Sequence, residues 1–184
     1  MKFTLKNGEE VEILPLEKTK LTARQIRSYF EKIVMEEPEP FILVNEPPTL
    51  KEEEKWLKEQ KQKIAKKNEL MLVALKNGEI IGNSSGHRER HRNSDKVALG
   101  IILAKKYRRL GLGKKLLVEL LKLIKKKLKP RTIYLNVFAL NKPALALYKK
   151  LGFVEIARLP KWIKVRGKYC DFVFMVLKWK KKQS

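Results

Sequence analysis

Between Tyr107 and Lys115 the chain reads YRRLGLGKK, directly ahead of the apolar helical pattern LLVELLKLI. Two arginines, two glycines and two lysines at a helix start suit a bound phosphate. The first N–H groups of a helix have no intrahelical partner, and the macrodipole is positive there, so donors and positive potential converge. Gly111 and Gly113 would let the backbone approach a ligand closely, while Arg108, Arg109, Lys114 and Lys115 add charge. The spacing is not that of a Walker A loop, because Lys115 stands where a hydroxyl is required, and it is not Gly-x-Gly-x-x-Gly. A basic surface loop without a ligand has the same composition, so composition leaves both readings open.

The elements that would hold this segment follow from turn chemistry and periodicity. Asn7-Gly8 and Asn77-Gly78 each separate two strand-like runs and predict hairpins. Between the hairpins, LTARQIRSYFEKIVMEE carries Leu21, Ile26, Phe30, Ile33 and Val34 at helical spacing, and Thr49 with Glu52 predicts a capping box opening a second helix. The proline-rich stretch EEPEPFILVNEPP between them predicts a surface loop. Then come the strand KVALGIILA, the helix LGKKLLVELLKLIKKKLK, the strand TIYLNVFAL, the short helix KPALALYKKL, a strand beginning GFVEIA and a last strand DFVFMVLKW. The order ββαα–ββ–βαβα–ββ predicts an α/β (α+β) fold: a mixed sheet with one parallel pair in its middle, flanked by antiparallel hairpins.

The chain has 184 residues, enough for one domain with a substantial core, so residues 1–184 are expected to form a single domain with a frayed basic tail over 178–184. No apolar run is long enough for a membrane span, and MKFTLKNGEE turns polar too soon for a signal peptide. The single Cys170 excludes an internal disulfide or a cysteine zinc site. A cytoplasmic, metal-free protein is expected. The net charge of +23 is unevenly spread: residues 1–60 hold 10 Lys/Arg against 13 Asp/Glu, and residues 61–184 hold 33 against 7. So basic a segment attracts polyanions such as nucleic acid, an acidic membrane surface or a phosphorylated cofactor. A Lys-rich solvated surface of the thermophile type accounts for most of the charge, because the lysines are dispersed along helix faces without interleaved aromatics.

Arg108-x-x-Gly111-x-Gly113 after a strand, followed at one helix and one strand by Asn141, Ala144, Leu147-Tyr148 and Leu151-Gly152-Phe153, resembles the GNAT superfamily of acetyl-CoA-dependent N-acetyltransferases. Together, in order and at that separation, the two motifs are specific; the match covers roughly Val97 to Phe153. The resemblance implies a GNAT-type, mostly antiparallel sheet of about seven strands with one central parallel pair. It implies that acetyl-CoA binds as co-substrate, with no metal. The backbone of Ile101, Ile102 and Leu103 would pair with the pantetheine arm. The diphosphate would lie against the loop and helix start at Arg108, Arg109, Leu110, Gly111, Leu112, Gly113 and Lys114, with Asn141 as a further contact. Asn141 also reads as a helix cap, with Pro143 in the first turn and Gly152 past the end. Tyr148 matches the family's usual general acid, placed to protonate the leaving thiolate; as an amphipathic core tyrosine it needs no such role.

The resemblance also implies transfer to a primary amine (a protein N-terminus, a lysine or a polyamine) by direct attack in a ternary complex, and that attack needs a proton acceptor. Relatives often carry a glutamate on one of the two central strands that splay apart. Here VALGI has no acid, and Asn136 stands in IYLNVFA where an acid is common. Three substitutes stay open: Glu89 or His91 on the neighbouring strand, a water chain anchored by Asn136, or Glu31 or Glu36 from the N-terminal helices. Glu36, Glu37 and Glu39 are candidates to recognise a cationic amine, in the one acidic part of the chain. Arg166-Gly167 is expected to turn the last hairpin, with Asp171 opening the last strand. The alternative function is a GNAT-like module that binds nucleic acid or ribosomes with little catalysis. A monomer or homodimer fits either reading.

Overall fold

The structure, a computed structural model, describes residues 1–36, 41–44, 46–165 and 167–178. Glu37, Glu39, Arg166 and the tail from 179 onward lie outside the described residues. The elements are β1 (Lys2–Thr4), β2 (Glu10–Pro15), α1 (Ala23–Val34), α2 (Leu50–Ala65), β3 (Glu69–Lys76), β4 (Glu79–Arg88), β5 (Lys96–Leu103), α3 (Leu112–Leu123), β6 (Thr132–Phe138), α4 (Lys142–Lys150), β7 (Phe153–Val165) and β8 (Lys168–Leu177). They form an eight-stranded sheet in the order β1-β2-β3-β4-β5-β6-β8-β7, in which only β5 and β6 run parallel. The sheet has one strand more than expected, counting the three-residue edge strand β1.

Local chemistry accounts for most boundaries. Asn77 and Gly78 both adopt positive φ (50° and 80°), as a two-residue hairpin turn between β3 and β4 requires. At the first hairpin only Gly8 does, at 84°, inside a wider turn closed by Leu5 N–H to the Glu9 carbonyl at 2.8 Å. Thr22 with Gln25 and Thr49 with Glu52 form full capping boxes at the starts of α1 and α2. The helix expected to run to Lys129 ends its α-helical part at Leu123 and closes with one π turn, Ile124–Leu128. Packing explains this ending. Ile124 is fully buried over Gly86 of β4, where a Cβ would stand 2.5 Å from its Cδ1, and Arg88 donates to the Leu128 carbonyl. β7 runs well beyond GFVEIA, through Pro160, which an edge strand tolerates because the missing N–H faces no neighbour.

Two faces result. One buries α3 and α4 on Val97, Leu99, Ile133, Leu135, Val137, Val173 and Met175. The other buries α1 and α2 on Met71 and Val73, with Leu16, Leu21 and Ile26. A third cluster joins Phe138, Phe172 and Cys170, with Phe41 packed against it. No helix among the described residues is long and apolar enough to cross a membrane.

Candidate active site

The sheet opens at its centre. β5 and β6 pair only from Lys96 to Ala98, opposite Thr132 to Tyr134. Beyond that, β5 keeps β4 on one side, through Leu103 with Gly82, while Leu135 to Phe138 of β6 pair with β8. The two parallel strands therefore diverge into a wedge lined by the backbone of β5.

Alternation decides which of those backbone groups face the wedge. Ala104 N–H donates to the Ile81 carbonyl and Glu89 N–H to the Lys96 carbonyl, both at 3.0 Å, so even-numbered residues of this stretch turn their polar groups toward β4. Leu99, Ile101 and Leu103 turn theirs to the wedge. The expectation for Ile102 is corrected: it faces β4, and its carbonyl accepts from the Tyr29 hydroxyl at 3.1 Å. Leu99, which the sequence alone did not single out, faces the wedge instead; the strand period of two was the available signal.

The loop after β5 delivers α3 to the wedge mouth. Its residues adopt two left-handed conformations, Arg109 at φ 62° and Gly111 at 89°, and Gly111 is the residue before the first turn. The first backbone bond of the helix start is Lys115 N–H to the Gly111 carbonyl at 3.1 Å, so the N–H groups of Leu112, Gly113 and Lys114 precede it. Gly111 is needed for its φ. Gly113 is needed for contact, since a Cβ there would lie 3.2 Å from Leu103 and 3.5 Å from Leu147. The Leu110 carbonyl accepts from Lys6 N–H at 3.1 Å, tying the loop to the first hairpin. An anion at this bend would meet the orphan donors with Arg109 and Lys114 nearby.

Arg108 is placed otherwise than expected. Its Nε donates to the Leu103 carbonyl at 2.9 Å, its guanidinium pairs with Glu36, and its own N–H closes a turn on the Lys105 carbonyl. The Glu36 carboxylate also accepts from Lys105 N–H at 2.7 Å. Two residues assigned to opposite reactants therefore hold each other, because α1 ends directly over the loop after β5. Neither side chain is free for the ligand assigned to it. On the other lip, Phe41 packs on Phe138 at the end of β6, ring centres 5.7 Å apart. The chain leaving α1 thus touches both lips of the wedge, on the face opposite α3.

Asn141 caps α4, accepting from Ala144 N–H at 3.2 Å, and Gly152 follows at φ 93°. Tyr148 lies on the inner side of α4, buried in the cluster that also holds Leu99, Leu135 and Val137, with Phe153 edge-on at 5.9 Å. Burial pushes its phenol up to about 12, so it stays protonated at neutral pH and can donate. Asn136 is exposed on β6, on the same face as Tyr134 and Phe138. Glu89 lies just past β4 and accepts from the Tyr134 hydroxyl at 2.5 Å; burial and this bond raise the tyrosine to about 12. His91 does not share a strand face with Glu89, because β4 ends at Arg88 and His91 opens a short turn at φ 55°. Glu31 pairs with Arg27 along α1 at 3.5 Å, half-exposed. The sequence reading passed over His87, which two-residue alternation places beside Ser85 and Glu89.

Solved structures share this fold. A Salmonella typhimurium acetyltransferase, yncA, solved with its cofactor acetyl-CoA, superposes with a TM-score of 0.77 at 19% identity, over 95% of this chain and 96% of that one. A ribosomal-protein-alanine N-acetyltransferase from Brucella melitensis gives 0.74 at 20% identity, over 92% and 99%. Among curated relatives, an N-alpha-acetyltransferase of Sulfurisphaera tokodaii is 43% identical over 58 residues, covering 32% of this chain and 35% of the relative. The L-amino acid N-acetyltransferase AaaT of Escherichia coli is 30% identical over 105 residues, covering 56% of this chain and 65% of the relative. Both matches thus span less than two thirds of those relatives. Residues 31–153, which carry the wedge, the glycine bend and Tyr148, match the Acetyltransferase (GNAT) family, and the chain belongs to that family.

Proposed function

We propose that the protein transfers an acetyl group from acetyl-CoA to an α-amino group, by direct attack within a ternary complex. The observation that carries this reading is the wedge between β5 and β6 with an amide-lined bend at its mouth. The residues present fit the coenzyme. The orphan N–H groups of residues 112–114, with Arg109 and Lys114, suit a diphosphate, and the left-handed Gly111 leaves it room. The backbone of Leu99 and Ile101, with the N–H of Leu103, suits the amide-bearing pantetheine arm; the Leu103 carbonyl is taken by Arg108. When bound, the coenzyme supplies an activated acyl group on a thiol. The chain's own contribution is to orient that group in the wedge, to exclude water with the α3–α4 core, and to hold a proton on the Tyr148 oxygen for the departing sulfur.

An α-amino acceptor is favoured over lysine or polyamine because one curated relative is named an N-alpha-acetyltransferase and another an L-amino acid N-acetyltransferase. The amine would approach from the α1–α2 face, opposite the bend. The test is release of free thiol from acetyl-CoA with Ala- and Ser-initial peptides, free amino acids, lysine-rich proteins and spermidine. Turnover on the first two groups is expected. Turnover on spermidine or internal lysines alone would replace the acceptor, and calorimetry without acetyl-CoA binding would remove the reading. A second role, docking on RNA, is supported by the 33 Lys/Arg against 7 Asp/Glu in residues 61–184. It requires RNA retention that falls steeply with salt.

A further inference from the structure

The α1–α2 face carries a buried polar chain that the reading above does not use. Glu69, at the start of β3, is only 6% exposed. Its carboxylate meets His87 Nδ1 at 3.3 Å. With its amide oriented to satisfy both neighbours, Gln60 of α2 donates to the two Glu69 oxygens at 2.9 and 2.7 Å and accepts from Trp56 Nε1 at 3.2 Å. Burial raises the Glu69 carboxyl above the usual range, and His87 opposes that rise. Every member is fixed by the next, from α2 through β3 to β4. Such a buried network orients its last member, and here that member is an imidazole partly open to solvent.

Register places this imidazole beside the wedge. Glu69 pairs with His87, His87 with Ala98, and Ala98 with Tyr134, in one row across β3, β4, β5 and β6. Ala98 and Tyr134 are the last β5–β6 pair before the strands part. The neighbours on β5 along the same face are the small Ala98 and Gly100, and the Tyr134 side chain reaches across β5 beside them to Glu89. The charged or titratable groups around it are Glu69 on β3, Lys63 on α2, Tyr134 on β6 and Glu89 beyond β4; Arg88 points to the α3 face. Glu89 is engaged by the Tyr134 hydroxyl. Among the described residues, His87 Nε2 has no hydrogen-bond partner.

We propose that His87 takes the proton from the attacking amine, directly or through one water, and that Glu69 is its positioning residue, holding Nδ1–H so that Nε2 faces the wedge as an acceptor. This rests on the acetyl-transfer reading and deepens it. The ammonium gives one proton to Nε2, which passes it to water. The freed nitrogen bonds to the acyl carbon as the C–S bond breaks. The sulfur takes the Tyr148 proton, and the second proton lost by nitrogen restores the phenol through solvent. α-Amino groups ionise near ~7.7–8.0 and lysine near ~10.4, so an α-ammonium yields its proton to a side-chain acceptor more readily than a lysine does.

Two measurements test the assignment. The chain has two histidines, so long-range 15N–1H spectra of the wild type and of His91→Gln distinguish the rings. Neutral His87 is expected as the Nδ1–H tautomer; an Nε2–H tautomer overturns the proposal, because that nitrogen could not accept. With acetyl-CoA and an Ala-initial peptide, His87→Ala is expected to lose about 10²–10⁴-fold in kcat. Its acetyl-CoA Kd should stay within twofold of wild type, which also reports an intact fold, and added imidazole should restore part of the rate. Glu69→Gln should lower kcat while KM holds. Turnover of His87→Ala within threefold of wild type overturns the role of His87 and leaves acetyl transfer standing. A wild type that turns over no amine overturns both.

Discussion

Tyr148 is held among apolar side chains, with its phenol raised to about 12 by burial alone. A proton so held is available to a thiolate and is not lost at working pH. Tyr148→Phe is therefore expected to lower kcat by about 10²-fold or more while acetyl-CoA affinity is unchanged; equal turnover would take the phenol out of the mechanism. The same shift has a stability consequence. An unfolded phenol ionises near ~10, whereas Tyr148 and Tyr134 hold their protons to about 12. The native state binds more protons across that window, so stability is fully present below pH ~10 and declines as pH rises toward about 12. Urea unfolding at pH 9 to 12 should show the decline, and Tyr148→Phe should flatten it. The motif singled out Tyr148 and Asn141 as candidates. It did not announce that Arg108 and Glu36 would meet each other, because 72 residues separate them and only the placement of α1 over β5 joins them.

At the scale of single elements, local rules set most helix starts and turns. Thr49 and Glu52 are three residues apart in sequence, and the capping box they form depends on nothing else. Thr49→Ala should cost about 1 kcal/mol in thermal or chemical unfolding. Gly111 and Gly113 read alike in the sequence, yet they serve different ends. Gly111→Ala forces a side chain into a left-handed backbone, at about 1–2 kcal/mol, and should weaken acetyl-CoA binding by calorimetry through displacement of the bend. Gly113→Val should act by collision with Leu103 and Leu147. The end of α3 escaped the local rules. Nothing in IKKKLK signals a π turn; Ile124 seated on Gly86, and Arg88 on the Leu128 carbonyl, are contacts made by β4.

For the whole molecule, the charge asymmetry matters most. An anionic coenzyme would meet a segment with 33 Lys/Arg and 7 Asp/Glu, so its association should weaken as salt shortens the screening length to about 8 Å near physiological strength. The acetyl-CoA Kd should rise several-fold between low salt and about 0.5 M NaCl; a salt-independent Kd would mean that backbone donors, not the basic surface, dominate. The α/β order, both hairpin turns, the parallel pair and the glycine bend were present in the linear chain, because turn residues, caps and hydrophobic periods act over a few positions. The wedge's lining, the exclusion of Ile102, the Arg108–Glu36 pair and the Gln60–Glu69–His87 row arose only on folding. Each depends on which way a strand's groups alternate relative to a neighbour, and register against β3, β4 and β6 is set by long-range packing that no short window of sequence contains.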